Sequence, residues 1–251
     1  ASDQFQFTGA QGAYDVDAVQ NGIIVQSYQN LLDQATITLP SSGTYQLRVY
    51  AKASNGFNKI EFSNSGDKLK VMSIDNWGDI IWSGFKFAFW GCNNLFLNTT
   101  SLPDLAFAIN LRACFRITSI NQSLNNWDFS NIENMRFFLR QTNYNQPVNW
   151  NTDNVTNFSG AFSFMPNFKQ SLANLNVQNG LNFDGFLDNT DINISGTTTN
   201  YDETLNSFAN QNVQPNLNFD GGNSQYSSVG KVGRDKLINN FGWTITDGGL
   251  I

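Results

Sequence analysis

Two series of residues in the middle of the chain have the types and spacing to hold an anion. Lys86, Arg112 and Arg136 form one series, Trp90, Arg116 and Arg140 the other, and both step by 26 and then 24 residues. The series run four residues apart, so on a helical segment each pair would share one face. Guanidinium groups repeated beside an exposed indole suit bidentate bonding of sulfate, phosphate or carboxylate groups and stacking on rings, which is the chemistry of anionic-glycan recognition. Five of the chain's 14 basic residues stand in this stripe, within a protein of net charge −6. At the next two steps Ser159, Ser163, Asp184 and Asp188 take the same places, so the stripe has an end. The plain alternative is a solvated face neutralised by nearby carboxylates.

Most other chemistry is absent. There is no histidine, which removes the usual proton-transfer residue near neutral pH and the commonest nitrogen metal ligand. No G-x-S-x-G element, phosphate-cradling loop or metal-type Cys cluster occurs, and Asp184, Asp188 and Asp191 match neither a calcium loop nor a glycosidase pair. No catalytic, cofactor-binding or metal-binding residue is assigned, and no cofactor is expected. A pI of about 4.5 argues against nonspecific nucleic-acid binding, because no overall positive field releases counterions from phosphates. Cys92 and Cys114 are too few for a disulfide scaffold and read as buried free thiols. No apolar run approaches the ~18 residues of a membrane span, and the start ASDQFQF shows no basic-then-apolar leader.

The stripe needs a repeating support, and the sequence contains one. Taking Trp77, Pro103, Trp127, Trp150 and Leu175 as origins, the eighth position on is Phe85, Leu111, Met135, Phe158 and Phe183. The eleventh is Ala88, Cys114, Phe138, Ala161 and Phe186, and the twelfth is Phe89, Phe115, Leu139, Phe162 and Leu187. All fifteen are apolar. The origins step by 26, 24, 23 and 25 residues, the range of leucine-rich-repeat-like coils, each with a strand and a short helix or 3₁₀ turn. Within a coil, a segment such as NVTNFSGAF places apolar residues at helical spacing. Asn131, Asn154 and Asn179 then read as an amide ladder capping successive helices. The stretches INQSL, YNQPV and FKQSL have the form of short strands that would stack into a parallel sheet. Their outward row, Asn121, Ser123, Asn145, Pro147, Lys169 and Ser171, is a second candidate binding face, although a polar face is also simply what keeps a coil stack soluble.

Residues 1–66 read instead as β structure. Strand candidates are QFQF, GIIVQSY, ATITL, TYQLRVY and NKIEF, separated by turn signals such as SNG and NSGD. Tyr45, Leu47 and Val49 alternate with Gln46, Arg48 and Tyr50. After Thr190 the template stops. A helix YDETLNSFA capped by Asn200, a strand LNFD, a helix through GRDKLINN closed by Gly242 and a strand WTIT suggest a cap over the exposed coil end. The expected fold is α+β: a small β-sandwich over 1–66, a right-handed leucine-rich-repeat-like solenoid of about five coils over 67–192, and an αβαβ C-terminal unit over 193–251. Asn makes up roughly 15% of the chain, which suits many short turns.

The phrases WDFSNIENMRFFL, YNQPVNWNTDNVTNFSGAF and FKQSLANLNVQNGLNFDGFL resemble the BspA-like surface-protein repeat, a leucine-rich-repeat relative. ITLPSSGTYQLRVYA with IEFSNSGDKLKVMSIDNWGDI is similar to the entry of such proteins, where a PKD-like or Ig-like β region joins the first coil. Met positions of the family pattern are often Phe here, and the fifth coil begins with Leu175 in place of Trp. The resemblance implies extracellular or cell-surface adhesion and host recognition but no particular ligand; the expected partner is a surface glycan or protein receptor. The apolar-run length and the acidic balance give no expectation of a transmembrane segment or a nucleic-acid partner, and a homo-oligomer stays open. A virus or phage spike built on the same coils, on a virion surface, is the alternative.

Overall fold

The computed structural model describes residues 3–52 and 56–251. Its N-terminal part consists of two antiparallel sheets. β1 (Gln4–Gln6) pairs with β4 (Thr36–Thr38), and β2 (Ala13–Gln20) lies between β3 (Ile23–Leu32) and β5 (Gln46–Ala51). The central strand β2 is absent from the sequence-based candidates. It buries Tyr14, Val16 and Ala18, while Asp15 and Asp17 between them stay at the edge of the core. Aspartate is disfavoured in strands, yet here each acid has a cross-strand role: Asp15 accepts from Asn30 N and pairs with Lys52, and Asp17 accepts from Ser27 Oγ. NKIEF contributes only an isolated bridge, Lys59 to Gln11. Of the expected SNG turn, Ser54 and Asn55 lie outside the described residues.

The β part leads straight into the repeats. Phe62 N, Ser63 N and Asn64 N donate to Ala88 O, Phe87 O and Trp90 O, so residues 62–64 lie against the first repeat. From there successive repeats are joined by one recurring ladder. Phe85, Phe87, Phe89 and Gly91 donate their backbone N–H groups to Asn110, Arg112, Cys114 and Arg116. Leu111, Ala113, Phe115 and Ile117 donate to Asn134, Arg136, Phe138 and Arg140, and the pattern continues through Asn157 and Asn182 to β8 (Asn218–Asp220). All fifteen template positions are at most 2% exposed. The aromatic members of adjacent windings touch: Phe89 and Phe115 stack with centroids 5.6 Å apart. Pro103, in the place of a Trp, lets Trp77 and Trp127 meet edge to face at 5.4 Å across it. Cys92 and Cys114 are buried free thiols, and burial pushes the Cys92 thiol up to about 12.

Two local expectations are corrected. The segment after each origin is a run of tight turns and not two turns of α-helix. Positive φ recurs every fourth residue, at Phe87, Ala113, Phe137, Gly160 and Gly185 (51° to 62°) and again at Gly91, Ile117, Gln141, Phe164 and Asn189 (53° to 84°). Left-handed residues at that interval cannot propagate a right-handed helix. Every second N–H is also taken by the next winding and so cannot bond four residues back. Asn131, Asn154 and Asn179 therefore cap nothing; their amides donate to Ala106 O, Ser130 O and Asp153 O of the preceding winding.

The expected parallel sheet through INQSL, YNQPV and FKQSL is replaced as well. Only the first step is strand-paired, β6 (Ser73–Ile74) with β7 (Phe96–Leu97). Beyond it side-chain amides do the joining. Asn121 Oδ1 accepts from Asn145 N at 2.8 Å, Asn145 Oδ1 from Lys169 N at 2.8 Å, and Asn125 Oδ1 from Asn149 N at 3.0 Å.

At the C-terminus α1 (Thr199–Ala209), β8, α2 (Ser228–Phe241) and β9 (Thr244–Thr246) follow in order, β8 and β9 being parallel. Helix α1 starts after Thr198, so Asn200 is not its cap; the Asn200 amide instead donates to Lys169 O and Ile192 O. Thr204 Oγ1 accepts from Leu172 N, and Gln211 Oε1 from Val177 N. These bonds put α1 where the amide row of another winding would stand. Ser227 caps α2, and Gly242, at φ 69°, ends it. No helix among the described residues is long and apolar enough to cross a membrane.

Candidate functional site

The stripe begins with the backbone. Asn110 Oδ1 accepts from Arg112 N at 2.9 Å and Asn134 Oδ1 from Arg136 N at 3.0 Å, an Asx turn that fixes the chain just where each arginine leaves it. The ladder then lays the arginines side by side. Ala113 N donates to Arg136 O, and Ile117 N to Arg140 O. Adjacent rungs of such a ladder are ~4.8 Å apart, so the three rungs 86/90, 112/116 and 136/140 span ~10 Å.

All six predicted stripe residues come together on one face, and rings that the sequence reading missed lie among them. Arg112 and Lys86 lie over Phe87, at 5.1 and 5.0 Å from its centroid. Arg116 lies over Trp90 at 4.7 Å and over Phe137 at 5.5 Å. Arg136 and Arg140 lie over the same Phe137, at 4.7 and 5.3 Å, and Arg140 also over Phe164 at 4.1 Å. Trp90, Arg116, Phe137, Arg140 and Phe164 thus alternate ring and cation across four windings. Each such contact contributes about 0.5–2 kcal/mol, more as water is excluded.

Phe87, Phe137 and Phe164 hold their rings in this band from left-handed backbone. In the fourth and fifth windings the position of Phe87 and Phe137 is glycine, Gly160 and Gly185. Phenylalanine there costs about 1–2 kcal/mol in conformation, and the ladder forms without it. Gly160 has a further reason: a Cβ on it would overlap the Phe137 ring. The signal was present in FKFAFW and MRFFLR, where a Phe falls between the inward positions and so must face out.

The electrostatics of the face are one-sided. Among the described residues none of Lys86, Arg112, Arg116, Arg136 and Arg140 forms an ion pair; the pairs present involve other cations, such as Lys169 with Asp191 and Arg234 with Asp247. The Nε atoms of all four arginines and the Trp90 indole N–H are buried without a protein hydrogen-bond partner. Arg140 Nη1 donates to Ser163 Oγ at 2.8 Å. Burial, together with the nearby charge of Arg140, holds Arg116 below its ordinary range. Arg140 is lowered by burial and partly restored by Asp188.

The second predicted row is built differently. Asn121, Ser123 and Pro147 are exposed and Asn145, Lys169 and Ser171 half-buried, but their side-chain oxygens and the Lys169 ammonium are engaged within the chain. Asn121 and Asn145 hold the next winding, Ser123 Oγ accepts from Asn125 N and Ser171 Oγ from Ala173 N. Lys169 Nζ donates to Asp191 O.

Compared with known proteins, residues 109–220 match a family model described as "Mycoplasma protein of unknown function, DUF285". The matched stretch takes in the four arginines and leaves Lys86 and Trp90 outside it. No curated protein and no solved structure matches the chain.

Proposed function

We propose that this protein is a non-enzymatic recognition module of a cell surface, which docks its arginine–aromatic face on an anionic glycan or protein. The scaffold we propose is a solenoid of the leucine-rich-repeat kind, extracellular like the BspA-like proteins its repeats resemble. One observation carries the reading: five cations gather on one face of a protein of net charge −6 with no carboxylate paired to them among the described residues. Like charges brought together repel, so a fold that assembles them gains when an anion arrives. The ladder supports this by making the face rigid, which lowers the ordering cost of binding.

The test is a glycan and surface-protein array probed with the full chain and with the Arg112→Ser, Arg116→Ser, Arg136→Ser, Arg140→Ser variant. The reading expects selective binding by the parent and loss of at least about tenfold in the variant, since charged hydrogen bonds each contribute 1.5–3 kcal/mol. Equal binding by both proteins would remove the face from the account.

A further inference from the structure

We infer that the ligand of this face is a short sulfated stretch of a linear polysaccharide, lying along the three basic windings. The inference rests on the recognition reading above and gives it a substrate class.

Four features of the site point to it. With rings over their faces and Nε buried, Arg116 and Arg140 can meet a ligand only with their terminal N–H groups, of which Arg140 Nη1 also donates to Ser163 Oγ. Edge-on guanidinium is the geometry that grips oxyanions. Arg116, Arg136 and Arg140 also gather around the single Phe137 ring. A planar carboxylate presents two oxygens in one plane, which a single guanidinium fork matches, whereas the three terminal oxygens of a sulfate ester point in three directions and can be shared among several forks.

The other two features set the length and the polymer. Basic rungs fill about 10 Å, after which the face turns to Ser159 and Ser163 and then to Asp184 and Asp188. A long polyanion such as a nucleic-acid strand would run onto those carboxylates, but a few sugar units would not. An extended acidic peptide would seek backbone donors, and the N–H groups of Phe85, Phe87, Phe89 and Gly91, and of their counterparts along the ladder, are already bonded to the next winding. A sugar needs none of them, and the half-buried Phe87 and Trp90 offer apolar ring surface at the Lys86 end.

The experiment is calorimetric titration of the full chain with heparin-type di-, tetra- and hexasaccharides, their desulfated counterparts, inorganic polyphosphate, a single-stranded DNA oligomer and poly-glutamate. Sulfated tetrasaccharide is expected to bind, with little gain at the hexasaccharide and at least about tenfold loss on desulfation. The Arg116→Lys, Arg140→Lys variant, which keeps the charge but not the fork, is expected to melt with the parent and to lose about tenfold in affinity. Equal binding by that variant, equal or tighter binding of polyphosphate, DNA or poly-glutamate, or no response to the sulfated sugars would overturn the inference. Arginine-dependent docking on a surface partner with no response to sulfated sugars would leave the recognition reading standing and remove only this one.

Discussion

The two faces that the repeat presents are made of the same kind of rung, yet they use their polar groups in opposite ways. On the amide face the side-chain oxygens of Asn121, Asn125 and Asn145 accept backbone N–H groups of the next winding and stand in for a missing sheet. On the arginine face the backbone makes its own ladder: Arg140 Nη1 donates to Ser163 Oγ, but the four buried Nε atoms have no protein partner, and among the described residues none of the four arginines forms an ion pair. The amide row turns its side-chain oxygens to holding the fold. The row whose charges stay unpaired, and which carries phenylalanines on backbone suited to glycine, is the one on which the proposed recognition rests.

Substitutions can break this contrast at three depths. The largest effect is expected below both faces: Phe115→Ala should cost about 3–5 kcal/mol, because Phe115 is fully buried between Phe89, Trp127 and Phe138. Urea denaturation would measure it, and ligand binding should fall along with the folded fraction. Asn145→Ala should cost about 1–3 kcal/mol by leaving Lys169 N without its acceptor, with affinity for any arginine-face ligand unchanged in the folded protein. Gly160→Ala should cost about 1–2 kcal/mol from its φ of 60°, with the displacement of Phe137 added to it. Its new methyl displaces Phe137, so affinity should drop severalfold. Stability loss without any change in affinity would show that Phe137 does not organise the arginines.

What was legible in the sequence was whatever the repeat period carries. The fifteen inward positions recur every 23 to 26 residues, and every one is buried. The stripe was legible for the same reason, since residues at one place in successive windings must neighbour one another. The turn geometry was not. Apolar residues three and four apart describe a helix and a spiral of tight turns equally well, and what decides between them is the next winding's claim on alternate N–H groups. Strand β2 was hidden by Asp15 and Asp17, whose partners Asn30, Lys52 and Ser27 are distant in sequence. The amide row read as a strand because its apolar-polar alternation is that of a strand. Asparagine side chains supply the bonds that backbone would otherwise make.

The most direct test sets two double variants side by side, Arg116→Ser with Arg140→Ser and Asn121→Ala with Asn145→Ala, each measured for unfolding free energy and for affinity to the same sulfated tetrasaccharide. The arginine pair, in which relief of like-charge repulsion offsets part of the lost ring contacts, is predicted to stay within about 2 kcal/mol of the parent's stability and to lose at least tenfold in affinity. The asparagine pair, which takes the acceptor from two backbone N–H groups, should lose at least about 2 kcal/mol of stability and keep its affinity. The reverse outcome, a destabilised arginine variant that still binds and a stable asparagine variant that does not, would contradict it.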